Sequence, residues 1–379
     1  MSTELTDQDT ADNTVQAMLP RDTPVQLLAA DGRFTPDAGP HPYQPPSVER
    51  LQEMYRRMVI GRRVDQQATA LTKQGKLAVF PSAHGQEACQ VGAVLALRQT
   101  DWMFPTYRES MALIARGIPP VEVLSLLRGD WHCGYDPRAH RCAPHATPLA
   151  TQSVHAAGFA YAEAQQGRDT VALVHVGDGG TSEGDFHEAI NFAGVFAAPV
   201  VFLVQNNGYA ISVPLSQQSA APSLAYKGIG YGVVSQQVDG NDPAAVLSVL
   251  DSAVAHARSG QGPYLVEAHT YRMQSHTNAD DATRYRDDSE VQAWVARDPI
   301  TRLEAHLRGC GALDDDAVTA VSDEAESVAA DLREALSTRA EPRPTELFEH
   351  VFAHRTPQLD EQRDQLLSEL ADAREETQS

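Results

Sequence analysis

A chain of 379 residues with 42% hydrophobic and 21% charged side chains has enough apolar surface to bury a core, which excludes a wholly disordered protein. Its 30 Lys and Arg against 51 Asp and Glu leave a formal net charge of −21, so a nucleic-acid backbone or an anionic membrane surface meets repulsion and neither is an expected partner. The start MSTELTDQDTADNTVQAMLP lacks the basic and apolar regions of a secretory signal, no apolar run reaches the roughly 18–20 residues that cross a bilayer, and four cysteines are too few for a disulfide framework; a soluble, cytoplasmic chain is expected.

In chain order, residues 1–46 are polar and end in PDAGPHPYQPP, where the prolines favour extended backbone; they read as a flexible N-terminal arm. Ser47 is a fitting N-cap for a helix over 47–64 that places Leu51, Met54, Tyr55, Met58 and Val59 at helical spacing. Helices are predicted near 86–97 and 120–127, with a turn-rich DWMFPTYRE between them and the loop HCGYDPRAHRCAPHATP after them. The apolar runs VALVHV (171–176), PVVFLV (199–204) and PYLVEA (263–268) are what strands buried on both faces require. Their alternation with helical patterns predicts an α/β fold, a doubly wound, mostly parallel sheet with flanking helices, over 47–290. From 291 to 379 the sequence is charged and helical, a C-terminal region expected to pack on that domain or on a partner chain.

The segment VALVHVGDGGTSEGDFHEAINFAGVFAAPVVFLVQNNGYAIS carries the chemistry. A strand ends in Gly177-Asp178-Gly179-Gly180, a helix is expected to open at Thr181 or Ser182, and a second strand runs into Asn206-Asn207-Gly208-Tyr209. Asn207 lies 207 − 178 = 29 residues after Asp178. Open α/β sheets bind ligands beyond the carboxyl ends of their strands, where glycines admit backbone to the ligand and helix N-termini offer N–H groups to phosphate. A carboxylate at 178 and an amide oxygen at 207 are hard oxygen donors, enough for Mg²⁺ if diphosphate oxygens complete its shell. No lysine follows the glycines as a P-loop demands, and Ser182 stands where the dinucleotide fingerprint needs its last glycine. Each motif alone is an ordinary strand-end turn; the pair on two strand termini is not.

GDG followed after about 30 residues by NN is the thiamine-diphosphate signature. Together with TYRE at 106–109, PLATQ at 148–152, GDGGTSEGDFHEAINFA at 177–193, QNNGYAIS at 205–212 and TYRMQSHTNADDATRYR at 270–286, it resembles the alpha subunit of the first, decarboxylating component of 2-oxo acid dehydrogenase complexes, over roughly residues 47–355. The resemblance implies the diphosphate-binding half of a thiamine-diphosphate fold, with thiamine diphosphate and Mg²⁺ as cofactors. It implies Asp178, Asn207 and the Tyr209 carbonyl as metal ligands, Tyr107 and Arg108 as diphosphate contacts, and Thr147, Leu149, Gly177, Gly179 and Gly180 as further cofactor-binding positions. His276 matches a histidine beside the reacting carbon, able to donate a proton or hydrogen bond to the substrate. The implied reaction is oxidative decarboxylation of a small 2-oxo acid with acyl transfer to the lipoyl group of the acyltransferase component. The implied assembly is a tetramer of two alpha and two beta subunits.

Some positions depart from the family. Gln205 stands where some relatives carry arginine, Thr147 where serine is frequent, and Thr277 where animal relatives have a kinase-regulated serine. His132, Cys133, His140, Cys142 and His145 are good metal ligands by type, but their spacing matches no zinc template; they border the active-site funnel or hold a structural metal. His84 in SAHGQEA is read as a packed or entrance residue. The VQLLAADGRF arm and the tail FEHVFAHRTPQLDEQRDQL favour a branched-chain substrate of the 3-methyl-2-oxobutanoate type, with pyruvate as the alternative. A non-oxidative thiamine enzyme would carry both cofactor halves on one longer chain, and a non-catalytic scaffold would not need the metal and phosphate residues.

Overall fold

The Ser47 side chain accepts from the Arg50 amide at 3.4 Å and starts helix α1 (Val48–Lys73), as predicted. The helix buries Leu51, Met54, Tyr55 and Met58, then turns Ile60 and Val64 inward in place of Val59. The computed structural model describes residues 16, 18–35, 42–129, 133–145, 147–337 and 343–378. The chain forms two compact units, Met1–Ala335 and Leu336–Ser379.

After α1 come α2 (Glu87–Ala96), β1 (Trp102–Phe104), α3 (Ser110–Ala115), α4 (Pro120–Arg128), α5 (Pro137–His140), α6 (Thr151–Gln165), β2 (Ala172–Gly177), α7 (Gly184–Val195) and β3 (Val200–Asn206). A small antiparallel hairpin follows, β4 (Tyr209–Ala210) with β5 (Val213–Pro214), then α8 (Tyr226–Ile229), β6 (Val234–Asp239), α9 (Pro243–Arg258) and β7 (Tyr264–His269). Helices α10 (Asp288–Val295), α11 (Pro299–Gly309) and α12 (Asp315–Ser337) continue the chain. The second unit holds α13 (Glu346–Glu349) and α14 (Pro357–Gln378). No described helix is long and apolar enough to cross a membrane.

The main sheet has the order β1-β2-β3-β7-β6, and every neighbour pairing in it is parallel. Side chains alternate across a strand, so Ala172, Val174 and Val176 of β2 and Val200, Phe202 and Val204 of β3 pack on one face. There they meet Ala156, Ala157 and Ala160 of α6 and Phe186, Ala189 and Ile190 of α7. The alanines let α6 lie close to the sheet. Leu173, Val201 and Leu203 point the other way and are equally buried, under the side covered by α9. Each such Val or Leu contributes about 1.5–3 kcal/mol, which is why these strands tolerate no polar face.

β1 and β6 were not expected as strands. β1 has only three residues inside a stretch rich in turn formers. β6, VSQQVD, buries two glutamines by bonding them to distant groups: Gln236 Nε2 donates to Tyr43 Oη at 3.2 Å and Gln237 Nε2 to the Arg21 carbonyl at 2.7 Å. Within the first 46 residues, 21–28 lie along this edge. The Val25 amide donates to the Gln237 carbonyl at 2.9 Å, and the Leu27 and Leu28 amides donate to Asp242 Oδ2 at 2.6 Å each.

Candidate functional site

The β2–β3 register aligns Gly177 with Gln205, so Asp178 and the Asn206-Asn207 pair leave adjacent strands at the same rim. The backbone after Asp178 makes one turn of 3₁₀-helix, Gly179–Ser182, and α7 begins only at Gly184. The predicted helix start at Thr181 or Ser182 is therefore corrected by two to three residues. Thr181 bonds back to the Asp178 carbonyl through both its amide (3.1 Å) and its hydroxyl (2.7 Å), closing the tight turn, and Glu183 is extended before the α-helix resumes. A Cβ on Gly179 would stand 2.7 Å from Ala210 Cβ, so only glycine lets this loop touch the β4 hairpin.

On the second strand end two consecutive asparagines shape the backbone. Asn206 Oδ1 accepts from the Gly208 amide at 3.1 Å and Asn207 Oδ1 from the Tyr209 amide at 3.3 Å, while Gly208 takes φ +86. Both loops open into a cavity of about 210 Å³. Tyr107, Arg108, Leu149, Gly177, Asp178, Gly179, Gly180, Asn207, Tyr209 and His276 all line it. Thr147 is exposed and is not among the lining residues.

Asp178 is 1% exposed, and burial pushes its carboxyl up from the usual range. Gln218 Nε2 donates to it at 3.3 Å, but among the described residues it has no ion-pair partner at salt-bridge distance. A buried carboxylate without a counterion is costly. With Asn207 and Tyr209 lining the same cavity, an amide oxygen and a backbone carbonyl can complete a hard-oxygen donor set suited to a hard divalent cation.

The opposite wall is cationic. Arg108 donates from Nη1 to the Ser82 carbonyl at 2.8 Å and to the His276 carbonyl at 3.2 Å, and its Nη2 lies 3.1 Å from His276 Nδ1. Arg272, 1% exposed, brings Nη1 to the same nitrogen at 3.1 Å and donates from Nη2 to the Ile211 carbonyl at 2.9 Å; its buried Nε has no partner. Burial, then Arg108 and Arg272, hold His276 down to about 4. Since guanidinium nitrogens can only donate, His276 Nδ1 is an acceptor and the proton of the neutral ring sits on Nε2. Two buried guanidiniums aimed at one cavity, neither paired with a carboxylate among the described residues, form an anion site.

Arg272 was not foreseen: nothing in TYRMQSH distinguishes it locally, and its role follows from the fold bringing it against Arg108. Gln86, Glu109, Gln152, Glu183 and Ile211 also line the cavity. Ile211 adopts φ +56, rare for a β-branched residue, at the point where its carbonyl meets Arg272. Gln205 is bound by protein groups on both sides: its Nε2 donates to Glu109 Oε1 at 2.7 Å and its Oε1 accepts from Gln86 Nε2 at 3.2 Å.

His132 lies outside the described residues. Among those described, no group of three or more His, Cys, Asp or Glu gathers as a metal site. Cys133 Sγ donates to the Tyr135 carbonyl and Cys142 Sγ to the His140 carbonyl, and burial holds His145 down to about 4.

The family model for the dehydrogenase E1 component matches residues 55–345. The alpha subunit of 3-methyl-2-oxobutanoate dehydrogenase from Mycobacterium tuberculosis is 46% identical over 348 residues, covering 92% of this chain and 94% of that protein. The alpha subunit of the pyruvate dehydrogenase E1 component from Staphylococcus aureus is 38% identical over 316 residues, covering 83% and 85% respectively.

Proposed function

This chain belongs to the dehydrogenase E1 component family, and within it we propose that it is the alpha subunit of a cytoplasmic branched-chain 2-oxo acid dehydrogenase, acting on 3-methyl-2-oxobutanoate and related acids. The observation that carries the reaction class is the single cavity that gathers Asp178, Asn207, Tyr209, Arg108 and His276. The preference for branched-chain acids over pyruvate rests on the 46% identity to the mycobacterial enzyme against 38% to the staphylococcal one.

The residues fit the family's cofactor. Asp178 is a buried carboxylate in want of a cation, and Asp178, Asn207 and the Tyr209 carbonyl would hold Mg²⁺. Arg108 and Arg272 would take diphosphate oxygens, and Gly179 leaves backbone where any side chain would intrude. Thiamine diphosphate, when bound, supplies an electron sink for loss of carbon dioxide from the 2-oxo acid.

The rest is the work of this chain. Arg108 and Arg272 fix the His276 ring through Nδ1, so that Nε2–H is the donor available to a substrate carboxylate or oxo oxygen. Because the ring is neutral, it donates a hydrogen bond without adding charge to an already cationic wall. The buried rims of β2 and β3 keep bulk water from Asp178. The family assigns a beta subunit as partner; a tetramer of two alpha and two beta chains, passing its acyl group to a lipoyl-bearing acyltransferase, completes the reading.

A methylene distinguishes substrates by only about 1–3 kcal/mol, so the deciding assay is steady-state comparison of pyruvate, 3-methyl-2-oxobutanoate and 4-methyl-2-oxopentanoate with the reconstituted tetramer. A higher kcat/KM for both branched acids supports the assignment; a preference for pyruvate replaces it with the pyruvate-type reading.

A further inference from the structure

We propose that Glu267 is the positioning residue that keeps the two metal-binding loops in register, an inference that rests on reading Asp178, Asn207 and the Tyr209 carbonyl as ligands of a divalent cation. Glu267 lies on β7 at zero exposure and is absent from the cavity lining. No Lys or Arg forms an ion pair with it among the described residues. The nearest basic group is His269 Nε2 at 3.8 Å, itself 2.9 Å from Gln237 Oε1. A carboxylate so placed is expensive to bury, and its two oxygens are committed to two particular donors.

Oε1 accepts from Asn206 Nδ2 at 2.7 Å. That amide is thereby oriented so that Asn206 Oδ1 receives the Gly208 amide at 3.1 Å, while the Asn206 carbonyl receives the Thr270 amide at 2.9 Å. Asn206 is thus the fixed point of the turn that presents Asn207 and the Tyr209 carbonyl. Oε2 accepts from the Ala225 amide at 2.9 Å, at the entrance to α8. Two residues on, Lys227 Nζ donates to the Thr181 carbonyl at 2.7 Å and to its hydroxyl at 2.9 Å, and that hydroxyl donates to the Asp178 carbonyl at 2.7 Å.

One carboxylate therefore ties the Asn207 loop directly and the Asp178 loop through Ala225, Lys227 and Thr181. The strand register brings the two loops to one rim, and Glu267 adds a tie that joins one to the other. It touches neither substrate nor cofactor and acts only through what it holds.

The test uses the reconstituted tetramer with Glu267→Gln, which retains an oxygen for Asn206 but turns an NH₂ toward the Ala225 amide. Mn²⁺ is the probe, titrated in the presence of thiamine diphosphate and followed by its electron paramagnetic resonance. The expected result is a Kd for Mn²⁺ raised about 10–100-fold, the scale seen for partners that orient metal ligands, with kcat at saturating Mg²⁺ changed by less than about 2-fold. A purely packing role would lower the melting temperature and leave the Mn²⁺ affinity alone, and that outcome overturns the proposal. Should the variant fail to assemble, Lys227→Met and Asn206→Ala cut the two arms separately; each is expected to raise the same Kd, and unchanged values in both overturn it. If the unaltered tetramer takes up no Mn²⁺ with thiamine diphosphate, the metal reading itself falls, an outcome distinct from a normal wild type and an unaffected Glu267→Gln.

Discussion

Arg272 Nη1 stands 3.1 Å from His276 Nδ1, four residues further along the chain, and Arg108 Nη2 reaches the same nitrogen at 3.1 Å. Two cations sharing one imidazole nitrogen make protonation of that ring unfavourable and fix its tautomer.

The ring is therefore expected to titrate at about 4 in place of 6.5. The sign follows from linkage: between these values the unfolded chain binds the proton and the folded chain does not, so the tetramer loses stability as pH falls through this window. Replacing Arg272 by Met removes one cation and should move the titration back up. Imidazole NMR checks both; a wild-type ring that titrates near 6.5 contradicts the geometry.

Removing the donor itself, His276→Ala, should lower kcat by about 10²–10⁴-fold, the range for a positioned proton or hydrogen-bond donor, while leaving thiamine diphosphate affinity within a few-fold. Steady-state kinetics with calorimetry separates the two; equal losses in kcat and cofactor affinity would reassign His276 to binding.

Gly179→Ala tests the close approach of the two loops. The added Cβ meets Ala210 Cβ at 2.7 Å, an overlap relieved only if the Asp178 turn or the β4 hairpin moves. A loss of about 1–3 kcal/mol in stability is expected, with weaker cofactor binding, read by thermal unfolding with and without thiamine diphosphate and Mg²⁺. A neutral variant would show that the hairpin yields freely.

The proposed function divides the cofactor site between this chain and a beta subunit. Purified alpha chain alone should show no turnover and regain it on addition of beta; full activity of alpha alone would refute the divided site.

Much of this was legible in residue order, for identifiable reasons. VALVHV, PVVFLV and PYLVEA are apolar at nearly every position, His175 and Glu267 being the exceptions, because both sheet faces are covered, so they announce themselves. Gly177 to Gly180 and Asn206 to Tyr209 are readable because turn chemistry is local. β6 was hidden because Gln236 and Gln237 are satisfied by Tyr43 and Arg21, about 190–220 residues away. Arg272 was hidden for the same reason: what makes it functional is Arg108, brought to it by tertiary folding. Thr147 illustrates the reverse, a position the family pattern assigns to the cofactor and the fold leaves exposed at the margin.

The whole reading turns on Asp178 and Asn207 sharing a cation. The direct measurement is a crystal structure of the reconstituted tetramer with thiamine diphosphate and Mn²⁺, located by its anomalous scattering. The expected result is one peak per alpha chain bonded to Asp178 carboxylate, Asn207 Oδ1 and the Tyr209 carbonyl, at the roughly 2.0–2.2 Å typical of small hard cations. A cofactor bound with its metal elsewhere, or Asp178 bonded only to protein, would contradict it.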